Sequence, residues 1–268
     1  LVVVNNSTST VYYRLLTLCK NLGKIYKPEQ NTTLNEKLDI YPNISIGNSY
    51  PVINYLGIGI GGSEIAYDIM KSSESSVING GLLKQVPFLI IEKSMDLTIA
   101  ERKKYRLRKE VIINDTEYVE YYLKIIDSIS DPQVFKVIKT GELSTRLEPF
   151  NFNVSSILNP SPLVKEDFLA VTTNTYIAVA SNITLSLTPT ELLNIQNAIS
   201  LKYGANTPKI LTEIGVFSGV EYVTMNGTEA LAVQPAFFQT MQYDLQSLLS
   251  TNEVVLKDIQ IGGIEVLK

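Results

Sequence analysis

The chain has 268 residues, with 23 Lys and Arg against 27 Asp and Glu for a net charge of -4, one Cys, and neither His nor Trp. Without His there is no Ser-His-Asp or Cys-His pair and no imidazole metal ligand, and the lone Cys19 closes no internal disulfide and builds no Cys-rich zinc site. At 45% hydrophobic and 19% charged the composition is that of a globular protein; the mild charge gives nucleic-acid binding no support, and no apolar run reaches the roughly 18 residues of a membrane-spanning helix.

The opening residues 1–4 are apolar but lack the basic flank of a signal peptide. Residues 10–22 then predict an amphipathic helix, with Val11, Leu15, Leu18 and Leu22 as its apolar stripe, Ser9 or Thr10 as N-cap and Gly23 as terminator. Cys19 lies beside that stripe and is expected as a small buried side chain. Residues 24–49 are polar, with Pro28, Pro42 and Gly47, and read as a long loop holding at most one short strand. Residues 52–60 read as a strand entering a glycine cluster, 72–81 as a turn-rich connection and 86–91 as a buried strand.

Thr98 and Glu101 have capping-box spacing for a short helical turn. The clearest hairpin follows, 105–113 with 117–125 across Asn114-Asp115-Thr116, both arms rich in β-branched and aromatic residues. Asp131-Pro132 turns the chain into a strand at 134–138. Residues 148–166, with Pro149, Pro160 and Pro162, are the candidate seam between a first region, 1–150, and a second, 151–268, which pack separately or as one domain. Residues 168–187 read as two strands. Thr188, Pro189 and Glu191 open a second helix, closed by Gly204, with Leu192, Ile195, Ile199 and Leu193 on its core face. Strands at 210–217, 230–238 and 254–266 complete the chain. The expected fold is α+β and β-rich: antiparallel sheets with hairpins plus about two main helices.

Three clusters are candidates for chemistry. Gly57-Ile58-Gly59-Ile60-Gly61-Gly62 matches G-x-G-x-x-G after a strand, with residues 63–70 able to start a helix and Glu92 where a ribose-binding acid would lie. A dinucleotide site needs a sustained βαβ sheet, and the chain after Glu92 turns to hairpins. Gly57, Gly59, Gly61 and Gly62 are therefore read as a structural turn that uses φ > 0 or close packing. The competing nucleotide-binding enzyme requires 52–60 to pair in parallel with 86–92.

Residues 101–109 hold six basic side chains: Arg102, Lys103, Lys104, Arg106, Arg108 and Lys109. Strand alternation puts Arg106 and Arg108 on one face, read first as a solvated hairpin face, next as a charged subunit interface, and last as a nucleic-acid contact. Tyr118, Tyr121 and Tyr122 form an aromatic patch suited to a protein interface, a half-buried sheet face or, in a glycan- or receptor-binding module, a shallow ligand pocket. No acidic run has metal-loop spacing, and no catalytic residue, metal or cofactor is assigned.

Residues 54–62 (NYLGIGIGG) and 211–218 (LTEIGVFS), the latter followed by Leu231-Ala232-Val233, resemble the attachment domain of tailed-bacteriophage tail-collar fibre proteins. The first looks like that family's strand ending in a glycine-rich turn, the second like its "EIGLF" strand. The hairpin at 101–125 is similar in character to those of phage virion proteins. The resemblance implies a structural virion component of the neck, collar or tail, assembled in the host cytoplasm. It would form a homo-oligomeric ring, bind other virion structural proteins, and need no cofactor, membrane or nucleic acid. These residues hold no repetitive shaft, so a collar, neck or adaptor subunit is expected in place of a full fibre, with 24–49 and 148–166 as contact arms.

Overall fold

A computed structural model describes residues 7–28, 31–41, 45–61, 63–66, 69–72, 76–139, 145–150, 175–225, 227–251 and 255–266. Along the chain run β1 (Thr8–Ser9), α1 (Val11–Asn21), α2 (Leu34–Leu38), β2 (Val52–Gly59), β3 (Ser63–Ala66), β4 (Ile69–Ser72), β5 (Gln85–Val86) and β6 (Leu89–Glu92). There follow α3 (Ile99–Arg102), β7 (Tyr105–Ile113), β8 (Thr116–Ile125), β9 (Ser128–Ile129), β10 (Gln133–Lys139), β11 (Thr145–Pro149) and β12 (Thr175–Leu187). The chain ends with α4 (Pro189–Tyr203), β13 (Ile210–Thr224), β14 (Gly227–Asp244), α5 (Leu245–Thr251) and β15 (Val255–Val266). The fold is the β-rich α+β arrangement read from the sequence, with antiparallel sheets and with α1 and α4, of 11 and 15 residues, as its longest helices.

Local signals account for the element boundaries. Thr10 caps α1 by accepting the Tyr13 N–H at 3.2 Å, and Gly23 leaves the helix at φ 61°. Thr98 with Glu101 and Thr188 with Glu191 each close a full capping box on α3 and α4. Asn114 and Asp115, at φ 48° and 61°, make the two-residue turn between β7 and β8, with Ile113 opposite Thr116.

Three segments differ from expectation. Residues 34–38, inside the expected loop, are helical because Thr33 accepts the Glu36 N–H, and Leu34 and Ile40 are buried in the core. Residues 63–70 do not start a helix. Instead β3 and β4 pair antiparallel, Ser63 opposite Ser72, across a span too short to offset helix nucleation. The strand expected at 86–91 is two strands broken around Pro87, which has no N–H to give a ladder. Most of the Pro-rich segment and the first half of 168–187 lie outside the described residues; 175–187 is one strand.

The chain divides into two compact units, one of Asn6–Asp127 with Thr184–Lys257, the other of Leu1–Asn5, Ser128–Ile183 and Asp258–Lys268. The first holds an eight-stranded sheet, β1-β14-β13-β2-β8-β6, with β5 added to β2 and β7 to β8. Its core gathers Leu34, Tyr55, Leu82, Leu107, Tyr122, Leu123, Phe217, Val233 and Phe238. Ala232, at φ 50°, bulges β14, and the Asn35 amide takes up the nearby backbone, donating to the Ala230 carbonyl (3.0 Å) and accepting the Val233 N–H (2.8 Å). The second unit is built on the sheet β11-β10-β12-β15, with β9 paired to β12.

Candidate functional site

The glycine cluster ends β2, whose partners at that end are β13 and β5, both antiparallel: Gly59 lies opposite Glu213 and Ile58 opposite Val86. The parallel pairing that a dinucleotide site requires is therefore not made. The glycines serve close approach, since none of Gly57, Gly59 and Gly61 has positive φ. A Cβ on Gly57 would fall 2.7 Å from the Phe217 ring, and one on Gly215, directly across the ladder, 2.5 Å from it, so the glycine pair forms the slot in which that ring lies. A Cβ on Gly61 would meet the Lys84 nitrogen at 2.7 Å. Gly62 lies outside the described residues.

The end of the glycine cluster and the backbone at 83–84 together cradle an internal anion. The buried Glu213 carboxylate accepts the N–H groups of Gly61 (3.1 Å), Leu83 (3.1 Å) and Lys84 (3.3 Å). Converging backbone N–H groups are how a phosphate loop holds its ligand. Here the acceptor comes from β13, which explains why a phosphate-loop pattern occurs without a nucleotide-binding sheet around it. The residues of LTEIGVFS then have separate tasks: Glu213 fills the loop, Gly215 opens the slot and Phe217 closes it.

The basic run is turned inward. Arg102 and Arg108 both reach Asp96, at 2.5 and 2.7 Å, and Arg108 also bonds Glu110 at 2.8 Å. Arg106 is buried and pairs with Glu221 at 2.9 Å while donating to the carbonyls of Lys103 and Tyr105. Lys109 donates to the Leu38 carbonyl. Of the six, Lys103 and Lys104 stand in solvent. The expectation of Arg106 and Arg108 on a solvated face is corrected: both sides of β7 are covered near its start, and carboxylates replace water around the two guanidiniums.

The tyrosines divide similarly. Tyr121 and Tyr122 are buried and Tyr118 half-buried, so no shallow aromatic pocket opens there. Tyr121 stacks on Tyr105 at 5.4 Å and donates to Asp96; burial, with that carboxylate, pushes its hydroxyl up to about 12. Tyr122 donates to Glu120 at 2.7 Å, and Lys202 of α4 closes on the other oxygen of the same carboxylate. Lys124 pairs with Glu191 at 2.9 Å. Burial pushes the Glu191 carboxyl up, and its hydrogen bonds to Thr188 and Lys124 outweigh that and hold it below the usual range. These β8–α4 pairs were not singled out from sequence, because their partners lie 67 and 82 residues apart.

The surface that the sequence reading did miss is on α1. Its buried side chains are Tyr12 and Leu16, with Cys19 packed partly buried beside them and Tyr13 against Phe237 at 4.8 Å. Val11, Leu15, Leu18 and Leu22, expected as the core stripe, are 45%, 39%, 55% and 62% exposed. The helix has two apolar faces, and the aromatic one won the core because Tyr12 also reaches the Ile78 carbonyl (2.7 Å). Among the described residues no group of three or more Cys, Asp or Glu is arranged to hold a metal ion, and no helix is long and apolar enough to cross a membrane.

A family of unknown function, DUF7208, matches residues 2–260, and the chain belongs to it. No curated protein and no solved structure matches the chain.

Proposed function

We propose that this DUF7208 member is a structural subunit working by protein–protein contact, in the neck, collar or tail-attachment region of a tailed bacteriophage, and not a catalyst. The observation that carries the reading is the junction of β2 with β13. The two segments that resemble the attachment domain of tail-collar fibre proteins, 54–62 and 211–218, are hydrogen-bonded antiparallel neighbours, with Tyr55 opposite Phe217 and Gly59 opposite Glu213. The first supplies the Gly61 N–H and the Gly57 side of a slot, the second the Glu213 carboxylate and the Phe217 ring that meet them. The resemblance thus falls on one contiguous element, and not on two unrelated stretches.

The disposition of polar groups supports the same reading. Arg102, Arg106, Arg108, Tyr121 and Tyr122 are engaged internally, and several aliphatic side chains, Leu22, Ile78, Ile112 and Val223, are more than 60% exposed, which suits a surface meant to be covered. Quantitative mass spectrometry of purified virions carrying this gene tests the proposal. A constant copy number per particle, in a multiple that closes a ring, is the expected result. Absence of the chain from the particle overturns it.

A further inference from the structure

Residues 76–81 (SVINGG) hold an Asn-Gly pair at a surface turn. The Asn79 N–H closes that turn on the Ser76 carbonyl at 3.0 Å. Ser76, Val77 and Ile78 are exposed, and Asn79 and Gly80 are half-buried. Among the described residues, neither the Asn79 side-chain amide nor the Gly80 N–H has a hydrogen-bond partner. Other asparagines are placed differently. The Asn35 amide is engaged by Ala230 and Val233, and the Asn31 amide donates to the Lys27 carbonyl at 3.2 Å. Asn114 is followed by Asp115, whose side chain crowds the intervening nitrogen.

The glycine after Asn79 is required by packing. A Cβ on Gly80 would lie 2.8 Å from Thr32 Cγ2, and one on Gly81 3.2 Å from Leu34. The close approach of 80–81 to the segment that opens α2 therefore keeps a side-chain-free residue at 80. Without a Cβ, nothing on that residue hinders its nitrogen from reaching the preceding side chain.

We propose that Asn79 is a self-modifying site, at which the chain converts its own amide to a carboxylate. The Gly80 nitrogen gives its proton to solvent base and attacks Asn79 Cγ. A C–N bond forms there, and the side-chain nitrogen leaves as ammonia. Water then opens the five-membered succinimide at either carbonyl. One opening gives Asp, the other isoaspartate, whose main chain runs through Cβ and Cγ. Both products add a negative charge. Isoaspartate also lengthens the main chain by one carbon between two anchored points. On one side the Val77 and Ile78 carbonyls hold the Val11 N–H (2.9 Å) and the Tyr12 hydroxyl (2.7 Å) of α1; on the other Gly80 packs on Thr32. The conversion therefore loosens the seating of α1, and it runs one way. It does not depend on the subunit reading above.

Peptide mapping of the folded chain after incubation in mildly alkaline buffer tests it, with the same chain in urea as the reference. Trypsin releases residues 72–84 as one peptide whose sole Asn is Asn79. In the folded chain this peptide is expected to gain about 1 Da and to split into two products on chromatography. Asn79→Gln, which would need a six-membered ring, is expected to keep its mass, with the circular dichroism spectrum and melting temperature of the fresh wild type. The deamidated fraction, separated by its extra charge, is expected to melt below Asn79→Asp, which carries the charge without the added carbon. A peptide that gains mass only in urea, or under neither condition, overturns the site. A deamidated fraction that melts with Asn79→Asp overturns the link to α1.

Discussion

Asp96 receives the Tyr121 hydroxyl and the guanidiniums of Arg102 and Arg108 on one carboxylate whose side chain is 14% exposed. Burial pushes its carboxyl up, but the hydrogen bonds from Tyr121 and Arg108 and the two positive charges outweigh that and hold it below the usual range. The folded state therefore favours the ionised form. Its contribution is complete above the ordinary Asp value and is lost as the pH falls from about 4 through the lowered one. Asp96→Ala is expected to cost about 3 kcal/mol at pH 7, because two arginines lose the carboxylate they share. The variant's melting temperature, followed by circular dichroism from pH 7 to 3, should fall less steeply than the wild type's. At Gly61 the constraint is steric: Gly61→Ala places a methyl 2.7 Å from the Lys84 nitrogen, backbone that cannot yield cheaply, and also disturbs the donors to Glu213. A loss of about 2–4 kcal/mol in a urea titration is expected, against about 1–2 kcal/mol for Glu213→Gln, which keeps the shape and removes the charge.

Elements defined by their own few residues were legible in advance. The capping boxes of α3 and α4, the N-cap of α1 and the β7–β8 turn rest on contacts within four residues, and each occurs where its pattern stands. Thr188→Ala should therefore cost about 1 kcal/mol by thermal unfolding. Asp115→Gly, which removes a Cβ from a residue at φ 61°, should add roughly 0.5–1 kcal/mol in the same measurement. The face that α1 buries was not legible, because periodicity finds an apolar stripe without saying which of two stripes meets the sheet. The expected loop at 24–49 hid a helix for a related reason. Its Thr33 and Glu36 signal was present, but the strong apolar anchor is only Leu34 with Ile40, too few positions to set a period.

For the molecule as a whole, long-range pairing decides the rest. Glu213 lies 152 residues from Gly61, and no local pattern announces that a carboxylate on one strand will fill a loop after another. The sequence reading left positive φ and close packing both open for the loop, and could not name what approaches it. The division into units is a further consequence of distant contacts. Asp127 accepts both the N–H (2.8 Å) and the hydroxyl (2.6 Å) of Ser186, so the two points at which the chain leaves and re-enters the larger unit are tied together within it. Joining residues 6–127 to 184–257 by a short Gly-Ser linker is expected to give a chain that melts in one cooperative transition with the antiparallel-sheet spectrum retained. A chain lacking a melting transition would show that the larger unit does not fold alone.

The carboxylate of Glu213 in its loop also has a historical consequence. A residue held by backbone donors on two other segments, Gly61 on one and Leu83 with Lys84 on the other, is inherited with both, since none changes alone without stranding the rest. Among relatives in the same family, substitutions at 213 should accompany lengthening of the 57–62 loop or loss of its glycines, and the two sites should covary as strongly as residues in direct side-chain contact.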